Sequence, residues 1–255
     1  MLPEQRHRQI LDFVETHKQV KVNDLAQSLK VSKETIRRDL TSLEDRGLLR
    51  KVHGAAVYIQ TAVETVFSKR QTAQREEKQK IANCTAEIFH EGDSIMIESG
   101  TTSDVFAAEL AKKSGLTIIT NSLAVANRVY HGVGVNEIFF LGGKYHGETT
   151  YTYGPLVIQQ ISSFMVDYAV LTVGAINVKQ GIMYHYHEDA SIATAMMQQA
   201  RMTVVLADHT KFGRNALVPI SRLNEVDILV TDLIPESEMN DALQRSQVKL
   251  ITPES

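Results

Sequence analysis

The chain has 255 residues, 43% of them hydrophobic, enough to bury a core in one or two domains and to exclude global disorder. No apolar run reaches the roughly 18 residues that cross a bilayer, the opening MLPEQRHRQI is too polar for a secretory signal, and the single cysteine, Cys84, excludes an internal disulfide or a multi-cysteine zinc site, so a cytoplasmic protein without membrane contact is expected. The net charge of −3 hides an asymmetry: residues 1–58 carry 11 Lys/Arg against 8 Asp/Glu, and the remainder 16 against 22, a basic head on an acidic body.

Ile10, Leu11 and Val14 recur at helical spacing and predict a first helix from about Pro3 to His17. A short strand, Val20 to Val22, leads to a second helix capped by Asn23 or Asp24, with Leu25, Ala26 and Leu29 inward. Val31-Ser32 makes a tight connection, and Ser32 caps a third helix through Glu44 or Asp45. There Ile36, Leu40 and Leu43 form the buried stripe, Lys33, Glu34, Arg37 and Arg38 point elsewhere, and Gly47 ends the helix. Leu48 to Val52 and Ala55 to Ile59 read as a hairpin turning at His53-Gly54. Residues 60–80 are polar and predict an interdomain connector, helical in its second half, with only Val63, Val66 and Phe67 as apolar anchors. Beyond it SIMIE, TIIT, EIFFLGG, YAVLTVGA, TVVLAD, DILVTD and VKLIT alternate with helical stretches such as Val105 to Lys112 and Ala190 to Ala200. Fully apolar strands separated by helices predict a parallel sheet covered on both faces. The division expected is residues 1–59 as a winged helix-turn-helix domain, 60–80 as linker and 81–255 as an α/β effector-binding domain.

Three helices, a short turn before the third, and a basic hairpin suit duplex DNA, because a helix of about three turns enters the major groove with its N-terminal residues near base edges. Ser32, Lys33 and Thr35 would sit there. Arg37 and Arg38 lie about 100° apart on the helix, so one can probe bases while the other holds phosphate. In the wing, Arg50, Lys51 and His53 are placed to meet the backbone or a minor groove. A solvated amphipathic helix is the plain alternative for the arginine pair alone; the ordered set of elements favours DNA. One helix reads only a few base pairs, so a homo-oligomer, dimer or tetramer, on a paired site is expected.

In the body, Glu98-Ser99-Gly100-Thr101-Thr102 closes a strand and opens a helix, where glycine allows close approach and hydroxyls with free N–H groups suit a phosphate. The spacing and lysine of a Walker A loop are missing, and no glycine stands two positions before Ser99, as a nucleophile elbow requires. Thr120-Asn121-Ser122, Leu141-Gly142-Gly143 and Asp208-His209-Thr210-Lys211 lie at other strand ends, where parallel sheets bind ligands. Lys211 can charge-match an anion, while Asp208 or Glu188 can accept from sugar hydroxyls. A helix cap, a turn glycine or a surface charge explains any one of these alone. His185-x-His187-Glu188 lacks a third metal ligand, and Gly132-Val-Gly134 lacks the third glycine of a dinucleotide fingerprint. Cys84 reads as a small hydrophobe on a helix and Met196-Met197 as packing. No metal and no cofactor is expected.

The run from Arg6 to Leu40 resembles the N-terminal signature of the DeoR family of bacterial sugar-metabolism regulators. Arg6 is followed by Ile10 and Val14, and after 17 residues by Ser32, Thr35, Ile36, Arg37, Arg38, Asp39 and Leu40. KVHGAAV is similar to the family's hairpin motif, with Ala55 where a second glycine is common. ESGTT resembles the usual DSGTT, with Glu98 for Asp; TNS, LGG, Gly154-Pro155 and ADHTKFG also match, so the resemblance covers essentially the whole chain. YHYHEDA is similar to members that respond to glycerol 3-phosphate or related compounds. The resemblance implies an operator-reading third helix in which Thr35, Arg37 and Arg38 act and Asp39 is structural. It further implies a sensor domain similar in fold to ribose-5-phosphate isomerase that binds a phosphorylated sugar or sugar alcohol. By that analogy Ser99, Gly100, Thr101, Thr102 and Lys211 hold the phosphate, while Asn121, Glu188 and Asp208 face the sugar and Gly143 lines the site. The expected function is a repressor without catalytic residues. An isomerase with a fused helical domain is the alternative, weakened because the LGG loop has no acidic residue and VGAINV no lysine. An architectural or protein-binding module is the third reading, and polar strand ends argue against it.

Overall fold

The computed structural model describes residues 3–17, 19–45, 49–52, 55–57 and 67–253. The chain divides into two compact units, Met1–Val63 and Glu64–Ser255. The first contains α1 (Pro3–His17), β1 (Gln19–Lys21), α2 (Val22–Ser28), α3 (Lys33–Asp45), β2 (Arg50–Val52) and β3 (Ala55–Val57). The helices close on one core of Ile10, Val14, Leu25, Leu29, Ile36, Leu40 and Leu43, to which Leu49 and Ala56 add. This is the stripe that the 3.6-residue period singles out. Strands β2 and β3 pair antiparallel, and β1 completes a three-stranded sheet in the order β1-β3-β2.

Two local expectations are corrected. The first strand ends at Lys21, and Val22 opens α2, with Lys21 as an N-cap that makes no side-chain hydrogen bond. Val22 is buried in the core, and its burial draws the helix start ahead of Asn23 and Asp24. Asp24 instead lies in the first turn, where a carboxylate complements the helix dipole. Ser32 does cap α3, its Oγ accepting from the Thr35 N–H at 3.1 Å. The proposed stop at Gly47, the hairpin turn at His53-Gly54 and the strand end at Tyr58-Ile59 lie outside the described residues.

The second unit opens with α4 (Phe67–Thr72) and α5 (Arg75–Ala86). Helix α5 starts at Arg75 and buries Lys78 as well as Ile81, Ala82 and Ala86, so this unit takes in more of the 60–80 stretch than its polar composition suggests. Then follow β4 (Ser94–Ile97), α6 (Thr101–Leu110), β5 (Thr117–Thr120), α7 (Leu123–Tyr130), β6 (Glu137–Phe140), β7 (Lys144–His146), β8 (Tyr151–Tyr153), α8 (Pro155–Ile161), β9 (Val166–Thr172), β10 (Ala175–Asn177) and β11 (Gly181–Tyr184). The chain ends with α9 (His187–Gln198), β12 (Ala200–Leu206), β13 (Val218–Ser221), β14 (Ile228–Val230), α10 (Ser237–Arg245) and β15 (Lys249–Ile251).

Seven strands form one parallel sheet in the order β15-β14-β12-β9-β4-β5-β6. They correspond to the seven apolar runs read from the sequence. Alternate residues feed opposite cores: Met96, Ala169, Leu171 and Val205 meet α8, α9 and α10, whereas Ile95, Ile97, Val170 and Val204 meet α5, α6 and α7. Burial on both faces explains the unbroken apolar runs of the inner strands, whereas edge strand β6 leaves Phe139 and Phe140 exposed. Strand order reverses beside β4: β5 lies on one side and β9 on the other. In open parallel sheets, ligands bind beside such a switch point at the carboxyl ends of the strands. The β7–β8 hairpin and the antiparallel β10-β11-β13 sheet are additions that the sequence did not announce. Their strands run three or four residues, too short for a periodic signal.

Candidate nucleic-acid interface and effector pocket

On α3 the faces separate cleanly. Ile36, Leu40 and Leu43 are sealed in the core, while Ser32, Lys33, Arg37 and Arg38 are exposed and Thr35 is half-buried. The Arg37 guanidinium reaches Glu34 at 3.5 Å across exposed side chains, a contact that costs little to release. Asp39 faces the other way. At 6% exposure it takes Arg6 Nε at 2.5 Å, Arg6 Nη2 at 3.0 Å and His7 Nε2 at 3.0 Å. Burial alone would raise its pKa, but the hydrogen bonds from Arg6 and His7 hold it below the usual carboxylate value. Arg6 and Asp39 thus tie α1 to α3 and set the pitch at which the two arginines are presented. The sequence marks both residues, but not their pairing.

The wing is braced in the same way. The Lys51 ammonium lies 2.8 Å from Thr41 Oγ1 and 3.2 Å from Glu44 Oε2, and the Lys51 N–H donates to Glu44 Oε1 at 2.7 Å. Lys51 therefore joins hairpin to helix, a role the sequence reading missed together with Glu44 and Thr41. His53 lies outside the described residues, and nothing is described of the Arg50 side chain.

In the second unit the carboxyl ends of β12, β9, β4 and β5 lie side by side at the switch point. Glu98 is buried and committed to the frame, since its Oε2 accepts from Tyr184 Oη at 2.6 Å and from the Thr172 N–H at 3.3 Å. The extra methylene over aspartate is used to reach across to β11. Asn121, 1% exposed, accepts the Ser99 N–H at 3.2 Å and donates to the Thr152 carbonyl at 2.9 Å, so it holds the ESGTT turn in place. Gly100 has extended φ and could be any residue by backbone alone, but a Cβ there would lie 2.2 Å from Thr172 Oγ1. Thr101, Thr102 and Ser103 open α6, all buried, and Ser103 Oγ has no hydrogen-bond partner.

Gly143 lets β8 approach, a Cβ there falling 2.8 Å from the Tyr153 carbonyl, while Gln160 clamps Gly142 through its N–H at 3.1 Å and its carbonyl at 2.7 Å. Gln160 carried no sequence signal, because its role depends on a neighbouring loop. Asp208 is buried and caps the turn His209–Lys211, accepting the Thr210 N–H at 3.0 Å and the Thr210 hydroxyl. Lys211 closes that turn, half-buried, and Glu188 stands exposed at the start of α9. A further acid, Asp189, is reached by the Tyr151 hydroxyl at 2.8 Å. Its pKa is raised by burial, with the Tyr151 hydrogen bond opposing.

His185 follows β11 and packs against Gly174, where a Cβ would meet its ring at 2.8 Å. Its Nδ1 is buried without a partner. Burial first, then the positive charges of Lys211, Arg70 and Arg214, push its pKa down to about 4. Between about 4 and the ordinary 6.5 the unfolded chain binds a proton that the folded one refuses, so stability falls as pH drops through that window. Denaturant midpoints of the wild type and a His185→Asn variant at pH 7 and pH 5 are the check. The wild type should lose more stability than the variant, and equal losses would refute the buried neutral ring.

Among the described residues no three His, Cys, Asp or Glu side chains are placed to hold an ion. Gly134 sits in a tight turn, its N–H bonded to the Ala111 carbonyl at 2.9 Å. Cys84 lies on α5, partly buried against the core, and Met196 is sealed inside. Among the described residues no helix is long and apolar enough to cross a membrane.

Residues 6–62 match the DeoR-like helix-turn-helix domain and residues 73–233 the DeoR C terminal sensor domain. The chain is 35% identical to the HTH-type transcriptional repressor CsqR of Escherichia coli over 98% of its own length and 95% of that protein's. It is 35% identical to the HTH-type transcriptional repressor GlcR of Bacillus subtilis, covering 100% and 98%. The glycerol-3-phosphate regulon repressor of Escherichia coli shares 32% identity over 96% and 97%. Among solved structures, ribose 5-phosphate isomerase A of Methanocaldococcus jannaschii aligns with 55% of each chain at 14% identity and a TM-score of 0.40.

Proposed function

The chain belongs to the DeoR family of transcriptional repressors, and from that membership we propose that it represses a carbohydrate-metabolism operon and is controlled by a phosphorylated sugar or sugar alcohol. The relatives are DNA-binding repressors, not enzymes, which disfavours the isomerase reading. The observation that carries the proposal is the split of α3 into a sealed face and a face bearing exposed Arg37 and Arg38, with the acid between that helix and α1 turned inward.

In this reading Ser32, Lys33, Thr35, Arg37 and Arg38 meet the operator, joined by Lys51, once released from Glu44, and by His53. Ser99, Gly100, Thr101, Thr102 and Lys211 receive the phosphate, since N–H and hydroxyl groups at a helix start and an ammonium suit an anion. Asn121 and Gly143 shape the crevice, and Glu188 and Asp208 serve the hydroxyls. A homo-oligomer, at least a dimer on DNA, supplies the second half-site contact.

Operator binding by full-length protein on its own upstream DNA, with and without a panel of phosphosugars, tests the reading. Arg37→Ala should weaken specific binding by about 1–3 kcal/mol if it reads a base, and lower the salt slope by about 1 if it holds phosphate. Lys211→Ala should bind operator as the wild type does and no longer be released by the phosphosugar that releases the wild type. No retarded complex at moderate salt, or a complex indifferent to every phosphosugar, would sink the proposal.

A further inference from the structure

The seven-stranded sheet has two edges, β15 and β6, and they are finished differently. Strand β15 carries exposed Lys249 and keeps Leu250 and Ile251 half-buried, with Pro253 just beyond its end. A lysine and a proline are the devices that commonly keep an edge from pairing. Strand β6 has no proline, no lysine and no bulge, its register with β5 running unbroken from Thr117↔Glu137 to Thr120↔Phe140. Instead it leaves Phe139 38% and Phe140 41% exposed. One ring lies on each face, because successive strand residues point to opposite sides. The Phe164 ring meets Phe139 at a centroid distance of 5.3 Å, and Met165 beside it is largely exposed, as is Val135 where the chain enters β6.

The backbone of β6 is only half used. The Glu137 and Leu141 N–H groups donate to the Leu116 and Thr120 carbonyls, each at 2.9 Å. The alternation of a parallel ladder then turns the N–H and C=O groups of Ile138 and Phe140 outward. No described strand lies on that side. Outward donors and acceptors between exposed aromatic rings form a template for another strand.

We propose that β6 is a dimerisation edge, pairing antiparallel with β6 of a second copy of this chain so that the two sheets run on as one. An identical strand turned about a two-fold axis presents the same donors and acceptors in reverse, so the edge complements itself. The register follows from satisfying every outward group within Glu137–Phe140. Ile138 then faces Phe140 of the second copy in a hydrogen-bonded pair, and Phe140 faces that copy's Ile138 in another. Phe139 meets its own counterpart on the axis, in the closer, non-hydrogen-bonded type of pair, where aromatic side chains add to the stability of a sheet. Glu137, the only charge on the strand, falls opposite Leu141, so no like charges meet. This rests on the homo-oligomer of the reading above and names the surface that makes it.

The test measures the solution mass of the full chain by light scattering, with no DNA present. Phe139→Lys should halve the wild-type mass and leave the circular dichroism unchanged, because it sets two ammonium groups face to face on the axis. Phe139→Glu should do the same, and mixing the two variants should restore the wild-type mass, since opposite charges then meet. A pair of cysteine variants in a Cys84→Ser background reads the register without added charge. Phe139→Cys should cross-link under mild oxidation, whereas Phe140→Cys should not, its two copies standing roughly 8 Å apart at Cα, beyond disulfide reach. A monomeric wild type, including one captured only by a different protein, overturns the inference. So does a mass unchanged in both charge variants, or cross-linking at position 140 in place of 139. Operator retardation is read separately. A wild type that pairs through β6 and ignores operator removes the function proposed above and leaves this surface standing. One that is retarded by operator while the charge variants keep its mass removes only the surface.

Discussion

Asp39→Ala should abolish operator binding by unfolding the head, while the protein still responds to its phosphosugar in a thermal-shift assay. Asp39 is 6% exposed and receives three hydrogen bonds from Arg6 and His7. Removing one partner of a buried ion pair leaves the other charge desolvated and typically costs about 3–5 kcal/mol. A domain of about 60 residues has a net stability of only a few kcal/mol, so a loss of that size unfolds it. The double variant Arg6→Leu/Asp39→Leu should recover much of the loss, because a well-packed apolar pair can replace a buried ion pair nearly without cost. Proteolysis of the head alongside operator binding separates unfolding from a local defect. A protease-resistant Asp39→Ala head that still retards operator would remove the claim that this pair holds α1 to α3. Acid gives a second handle. The Asp39 pKa is lowered by folding, so its contribution is present above the unfolded value, about 3.9, and disappears as pH falls through the folded value. The stability gap between wild type and Asp39→Asn should therefore close under strong acid.

Gly100→Ala should eliminate the effector response and leave operator binding intact. The added Cβ would lie 2.2 Å from Thr172 Oγ1 and 3.0 Å from its Cγ2, well inside contact distance. Either β9 or the ESGTT turn must move, and overpacking of this kind costs about 1–3 kcal/mol. The turn is the softer element, and a displacement of a few tenths of an ångström moves the donors at the start of α6. The clash is mostly with a side chain, so Thr172→Ala in the same chain should restore part of the response. It leaves only the Thr172 Cβ position, at 3.1 Å, to be accommodated. Isothermal titration with a phosphosugar active on the wild type decides the matter. Unchanged affinity in Gly100→Ala would mean that the turn is not where the ligand binds.

Much of this protein was determined locally and so could be read from residues in order. The helical period of Ile36, Leu40 and Leu43 sorted α3 into a core face and a solvent face, because 3.6 residues per turn fixes which side chains share a side. Ser32 announced its cap through the hydroxyl chemistry of the residue itself. The seven apolar runs became the seven parallel strands, the inner ones because a sheet buried on both faces needs no alternation. What the tertiary structure alone decided are the partnerships between distant positions. Asp39 was marked as structural, but only the packing of α1 on α3 shows that Arg6 neutralises it. Glu98, Asn121 and Gln160 turned out to be frame rather than open surface, since their polar atoms are satisfied by segments 18 to 86 residues away. Lys78 and Arg70 lie in a stretch whose composition reads as solvated connector, and burial of the ammonium against two carbonyls changes that meaning. Sequence periodicity carries information about neighbours within one element; a long-range hydrogen bond leaves no period, and only the folded chain brings its two ends together.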